Sequence, residues 1–198
     1  MAKERNFLIH PSYIIMFLLL AGITALFLGF SAAYLYNRIQ QGIPPVKLPS
    51  MFYWNTLLLI FSSISLIYAK NSYKKDQTES YKYALLTTFV LTILFLIAQV
   101  MAWMQLQNQD IFIHFSNMAA YLYVISGLHF LHVLAGVPFL FWFVLTAFRE
   151  MKSPVSVLLY FSDVTKKRKL QLLNIYWHFL DLLWIYLVVF FLANYLIQ

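Results

Sequence analysis

The chain has 198 residues, 62% of them hydrophobic and 19% aromatic, and a mean hydropathy of +0.73; so little polar surface cannot coat a water-soluble globule, and the composition is that of an integral membrane protein. Cysteine is absent, which excludes disulfides, iron–sulfur clusters, thiolate haem ligation and a dicysteine copper centre within the chain. The formal net charge of +7 invites a nucleic-acid reading, but the placement of the charges turns it into a membrane-orientation signal, with no nucleic-acid partner expected.

Five hydrophobic runs stand out, from about Ser12 to Tyr36, Met51 to Ala69, Ala84 to Leu106, Asn117 to Phe148 and Leu170 to Ile197. Each is near or above the ~20 residues needed to cross the hydrocarbon. None alternates with a period of two, and backbone in lipid must satisfy its own hydrogen bonds, so helices are expected and not barrel strands. The expected fold is all-α: a polytopic membrane protein, a bundle of five transmembrane helices forming one domain over residues 1–198. The first run is too long, and lacks a small-residue cleavage site, to be a removed signal peptide. The fourth exceeds the bilayer and should tilt or extend beyond it; its Pro138 lacks a backbone donor and is a candidate kink.

Between the runs, Asn37 to Ser50 carries Gly42, Pro44, Pro45 and Pro49 and reads as a turn-rich link. The Arg149–Lys169 link is the longest, and its apolar patch from Val155 to Phe161 is expected as a short interfacial helix or turn. Lys and Arg alternate strongly by loop: twelve fall on the side of the N-terminus and two, Arg38 and Lys47, on the other. That asymmetry puts the N-terminus in the cytoplasm and the C-terminus outside. The basic run Lys166, Lys167, Arg168 and Lys169 sits where anionic headgroups would lie, and is either a lipid-phosphate contact or a solvated topology signal.

Ala21, Ala25, Gly29 and Ala33 form a small-residue stripe at four-residue spacing in the first run. Such a stripe lets another backbone approach closely, from within the chain or from another subunit. In the fourth run His129 and His132 are three residues apart, near mid-membrane. Asp181, in the middle of the last run, costs roughly 2.5–3.5 kcal/mol at the centre of a membrane helix and needs a partner. We expect it beside a histidine: His129 or His132 across the helices, or His178 one turn away. Three readings of this polar cluster are open: a bis-histidine haem site as in b-type cytochromes, a proton or ion relay as in a small permease, or a structural lock between the last two spans.

The segment Tyr176-Trp177-His178-Phe179-Leu180-Asp181-Leu182-Leu183-Trp184 resembles the last-helix signature of the cytochrome c oxidase subunit III family, of the haem–copper terminal oxidases. Gly127-Leu128-His129-Phe130-Leu131-His132-Val133 with Gly136 is similar to the family's Gly-x-His-x-x-His-Val segment. Asn55-Thr56-Leu57 with Ser62-Ser63 is similar to its second helix in the five-helix bacterial form, and Ala32-Ala33-Tyr34-Leu35 to the end of its first.

The resemblance implies an accessory subunit with no catalytic residue, metal or cofactor of its own. Haem and copper would belong to a catalytic subunit I beside it, in a complex that reduces oxygen and pumps protons, alone or within a respiratory supercomplex. It also implies bound phospholipid, for which Lys166–Lys169, Trp177 and Trp184 are candidates, and a multi-pass location in the bacterial inner membrane. The cluster His129, His132, His178 and Asp181 would then be structural. The sequence departs from the family pattern at three positions that are acidic in many members: Ile23, Ala102 and Gln171 stand there. A proton-handling role is therefore not carried over, whereas scaffold and lipid roles survive.

Overall fold

A computed structural model describes residues 10–197, and these form six helices. They are α1 (Pro11–Gln41), α2 (Met51–Lys74), α3 (Thr78–Gln107), α4 (Asn117–Glu150), α5 (Pro154–Ser162) and α6 (Val164–Leu196). All but α5 are long and apolar enough to cross a membrane, so the chain is an all-helical, multi-pass membrane bundle. Lys3 and Arg5, counted in the charge asymmetry, lie outside the described residues.

The five spans coincide with the five apolar runs, but four extend well beyond them. Hydropathy marks only the part of a helix that hydrocarbon solvates; the backbone ladder continues into the polar flanks until something stops it. Gly42 stops α1 in the left-handed region at φ 60°, its N–H donating to Arg38 O at 3.0 Å. Asp76, at φ 55°, turns the chain between α2 and α3; aspartate tolerates that conformation better than most side chains. α4 runs on through Pro138 for 34 residues, about 50 Å at ~1.5 Å per residue. The patch expected as a short interfacial element is α5, capped by Ser153 in a reciprocal capping box with Ser156. The basic run Lys166–Lys169 is helical too, as part of the opening turns of α6.

α2 and α3 form an antiparallel hairpin, and α6 packs against α2, α4 and α1. The most apolar stretch of α6 is 44% buried and that of α1 only 17%. α6 is therefore the central helix and α1 the peripheral one. Two hydrophobic clusters fill the bundle. One, which includes Phe27, Tyr34, Phe52, Phe95 and Trp184, reaches toward the chain's poorly charged end. The other joins Leu66, Tyr73, Tyr81, Leu140, Tyr160 and Trp177 at the end that carries Lys70, Lys82 and the 166–169 run.

Close helix approach occurs at Gly136 on α4. A Cβ there would lie 2.7 Å from Trp177 Cζ3 and 2.9 Å from Tyr176 Cε1 on α6. Gly136→Val is expected to destabilise the bundle by about 1–3 kcal/mol, because the two rings must move out of a packed interface. Gly127→Ala, with nothing within 4 Å of its new Cβ, should be tolerated. Thermal unfolding in detergent checks the pair, and equal midpoints for the two variants would contradict this packing.

Candidate functional site

Polar side chains inside the spans have no water to bond, so each must find a partner in the protein. In this bundle several find it across helix interfaces, and others, such as Thr88, Thr92 and Asn174, on a carbonyl of their own helix. Asn55 Nδ2 on α2 donates to Gln99 Oε1 on α3 at 2.7 Å, with both residues fully buried. Trp103 Nε1 on α3 donates to Ser126 Oγ on α4 at 3.0 Å. Trp184 Nε1 on α6 donates to Thr56 Oγ1 on α2 at 3.1 Å, and Tyr176 Oη on α6 to the His132 carbonyl on α4 at 2.8 Å. The peripheral α1 is tied by Tyr13 Oη to Gln171 Oε1 at 2.5 Å, by Asn37 Nδ2 to Tyr121 Oη at 2.8 Å and by Arg38 to Asn194 Oδ1 at 2.7 Å.

The four residues expected as one cluster separate into three environments. His129 is fully buried, its ring 5.0 Å from that of Trp184 and edge-on to Phe95 at 5.9 Å, and neither ring nitrogen has a hydrogen-bond partner. His132 turns toward α1, its ring 5.9 Å from that of Phe27. Its Nδ1 lies 2.7 Å from the Leu128 carbonyl; a carbonyl only accepts, so that nitrogen carries the proton. His178 is the histidine beside Asp181, with Nδ1 3.9 Å from Asp181 Oδ2. That nitrogen hydrogen-bonds Ser63 Oγ on α2 at 2.7 Å. Of the three histidines left open as neighbours of Asp181, the structure places His178 there, and the pair faces α2 and not α4. The reason is register: His178 and Asp181 lie about 100° or more round the helix from Tyr176, the residue that meets α4.

Trp177 and Trp184, candidates for lipid contact, are 2% and 0% exposed and lie inside the bundle. In the basic run, Lys166 pairs with Glu150 and sits 4.2 Å over the Tyr160 ring. Lys167 is exposed and Arg168 half-buried. Lys169 lines a cavity of about 700 Å³ between α1, α4 and α6, whose walls include Met16, Leu19, Phe139 and Trp142. The small-residue stripe of α1 faces outward: Ala21, Ala25 and Gly29 are exposed and Ala33 half-buried. The chain's own contacts use Ile23, Phe27, Ser31 and Tyr34 instead. Among the positions that depart from the family pattern, Ile23 and Ala102 are buried in apolar surroundings, and Gln171 holds Tyr13.

At the basic end, Tyr73 Oη donates to the Tyr160 carbonyl at 3.1 Å and Tyr81 Oη meets Tyr160 Oη at 3.3 Å, fastening α5 to the hairpin. Burial raises the Tyr160 phenol above its ordinary value. Asp163 caps α6 by accepting from the N–H groups of Thr165 at 2.7 Å and Lys166 at 3.2 Å. The Lys166 and Thr165 bonds hold its carboxyl below the ordinary range. Asn55, Thr56, Ser63, Tyr176, Trp184 and Gln171 were singled out from sequence, but not their pairing across the helices. The available signal was an amide or hydroxyl inside an apolar run, as at Asn55 and Gln99. Among the described residues, no group of three or more His, Asp or Glu side chains converges as a metal site would.

This arrangement defines a membrane helix bundle in which several buried polar residues tie one helix to the next. Residues 14–195 match the family model described as "Cytochrome c oxidase subunit III". The chain is 28% identical over 187 residues to the cytochrome c oxidase subunit 3 of Thermostichus vulcanus, covering 90% of this chain and 86% of that protein. The chain belongs to the cytochrome c oxidase subunit III family. Membership implies a place in an oxidase complex with other oxidase subunits.

Two expectations follow from the geometry. Thr56→Val removes the acceptor of the Trp184 indole and should cost about 0.5–1.5 kcal/mol in thermal stability, more if the indole N–H is left bare; an unchanged midpoint would contradict the bond. The Asp163 cap has a sign in pH. Its carboxyl is depressed in the fold, so its contribution is present above the unfolded-state value and lost as pH falls through the folded one. Acidification through the carboxylate range should therefore loosen the start of α6 in the wild type, and do so less in Asp163→Ala. Hydrogen exchange of the 164–167 amides against pH measures it, and identical acid dependence in the two proteins would refute the role.

Proposed function

We propose that this chain is an accessory, non-redox subunit of a respiratory haem–copper oxidase in a bacterial cytoplasmic membrane, with its N-terminus cytoplasmic and its C-terminus outside. It sits beside the catalytic subunit, which holds the haems and copper, reduces oxygen and pumps protons; this chain contributes stability and bound phospholipid, with no catalytic centre of its own. The single observation that carries the reading is how the signature helix is used. Tyr176, Trp177, His178 and Trp184 each contact a neighbouring helix of the same chain, which supports reading the motif as packing.

The lipid part rests on the α1/α4/α6 cavity, which is apolar along its length with Lys169 among its lining residues. An acyl chain suits such walls, and a phosphate suits the ammonium at the headgroup level. A proton-handling role is left out, since Ile23 and Ala102 offer no titratable group and Gln171 is engaged by Tyr13.

Gentle solubilisation should yield this chain together with a much larger haem-containing subunit, and isolation in a stable complex free of haem and copper proteins would overturn the reading. An optical spectrum of the separated chain should lack a reduced-haem band. Asp181→Leu should lower retention of the subunit, with haem per catalytic subunit unchanged. Haem loss from a complex that still holds the subunit would argue for a ligand role.

A further inference from the structure

The polar set Ser63–His178–Asp181 is unfinished within the chain. Asp181 is 6% exposed and its Oδ2 accepts no hydrogen bond. The ion pairs among the described residues are Lys82–Glu79, Lys166–Glu150 and the 3.9 Å approach of His178 to Asp181, so no lysine or arginine neutralises this carboxylate. Ser63 lies beside both groups but has one hydroxyl hydrogen to give. One hydrogen cannot serve both neighbours, and the other ring nitrogen of His178, Nε2, makes no hydrogen bond among the described residues. The His178 side chain is 33% exposed on the outer surface of the bundle.

The position of that surface decides what covers it. Ser63 lies twelve residues from Met51 and six from Ala69, the ends of the apolar run of α2, about 18 and 9 Å at ~1.5 Å per residue. That places it inside the hydrocarbon, where acyl chains offer no hydrogen bond. The surroundings are apolar and outward-facing on both helices: Ile60 and Ile67 one turn either side of Ser63, Ile175 and Leu182 one turn either side of His178, all exposed. A polar spot framed by apolar side chains is the form of a helix-docking contact in lipid.

We propose that the α2/α6 face centred on His178 docks a transmembrane helix of another oxidase subunit, one that presents a hydrogen-bonding side chain to His178 Nε2 within the hydrocarbon. This rests on the reading of the chain as an oxidase subunit and names the face through which it assembles. That side chain completes a set of hydrogen bonds that runs from His178 through Ser63 toward Asp181.

The test uses the intact complex in its own membranes. A photo-crosslinking residue placed at Ile175 or Leu182 should give adducts with another oxidase subunit, and one at Ile97 on the far exposed face of α3 should give several-fold fewer. Adducts with lipid alone at Ile175 and Leu182, or protein adducts arising from Ala25 on α1 instead, would overturn the docking face while leaving the assignment as a subunit intact. Adducts with a protein that is no part of an oxidase would overturn the assignment itself. His178→Phe should lower retention of the subunit on detergent washing by about tenfold relative to wild type, and His178→Gln, which keeps an acceptor, should restore most of it. Retention of His178→Phe at the wild-type level refutes the proposal. Where that variant fails to accumulate, the crosslinks, made with His178 in place, decide.

Discussion

Hydrocarbon gives a polar side chain nothing to fall back on, and that constraint organises this bundle. Apolar packing alone does not choose between helix arrangements in lipid, because a lipid tail is as good a neighbour for leucine as another leucine. Direction comes from the few polar groups. Asn55 with Gln99, Trp103 with Ser126, Trp184 with Thr56 and Tyr176 with the His132 carbonyl join α2 to α3, α3 to α4, α6 to α2 and α6 to α4. Each such bond is worth only about 0.6–2 kcal/mol. Their effect is on specificity: a helix rotated by one residue would strand several donors at once in a medium that cannot solvate them.

Much of the architecture is legible in sequence because span length is a crude, strong signal. Five runs became five spans and the apolar patch in the fourth link became α5. The ends were less legible. Hydropathy ends at the hydrocarbon, while α1, α2 and α6 run on until a cap such as Gly42 or Asp163 defines them. The polar cluster was half legible. Depth brought His129, His132, His178 and Asp181 to one level, but depth says nothing about rotation. His129 turned to Trp184, His132 to Phe27 and His178 to Ser63.

Small residues show the same limit. The four-residue stripe of α1 has the spacing of a close helix contact, yet it points away from the rest of the chain. The close contact is made at Gly136, a lone glycine with no stripe around it, because the aromatic rings of Tyr176 and Trp177 need the space a Cβ would take. A glycine's purpose is set by the size of the side chain opposite, and that pairing is invisible until the helices are placed.

Rotation also explains why the last-helix signature is contiguous. At about 100° per residue, Tyr176, Trp184, Trp177, Asp181 and His178 fan in that order across some 200° of the helix. Tyr176 meets α4 at one edge, and His178 meets α2 at the other. The two indoles fill the wedge between, Trp177 against Gly136 and Trp184 against Phe52 and Phe95. Nine residues therefore fix the position of the central helix relative to two neighbours and the core. The costly member is Asp181, at the outer part of the fan behind His178. A carboxylate there is a poor device for internal packing, since Leu would fill the same space without an unmet hydrogen bond. Its placement makes physical sense where the helix continues outward, through His178, to a neighbour that the chain does not itself contain.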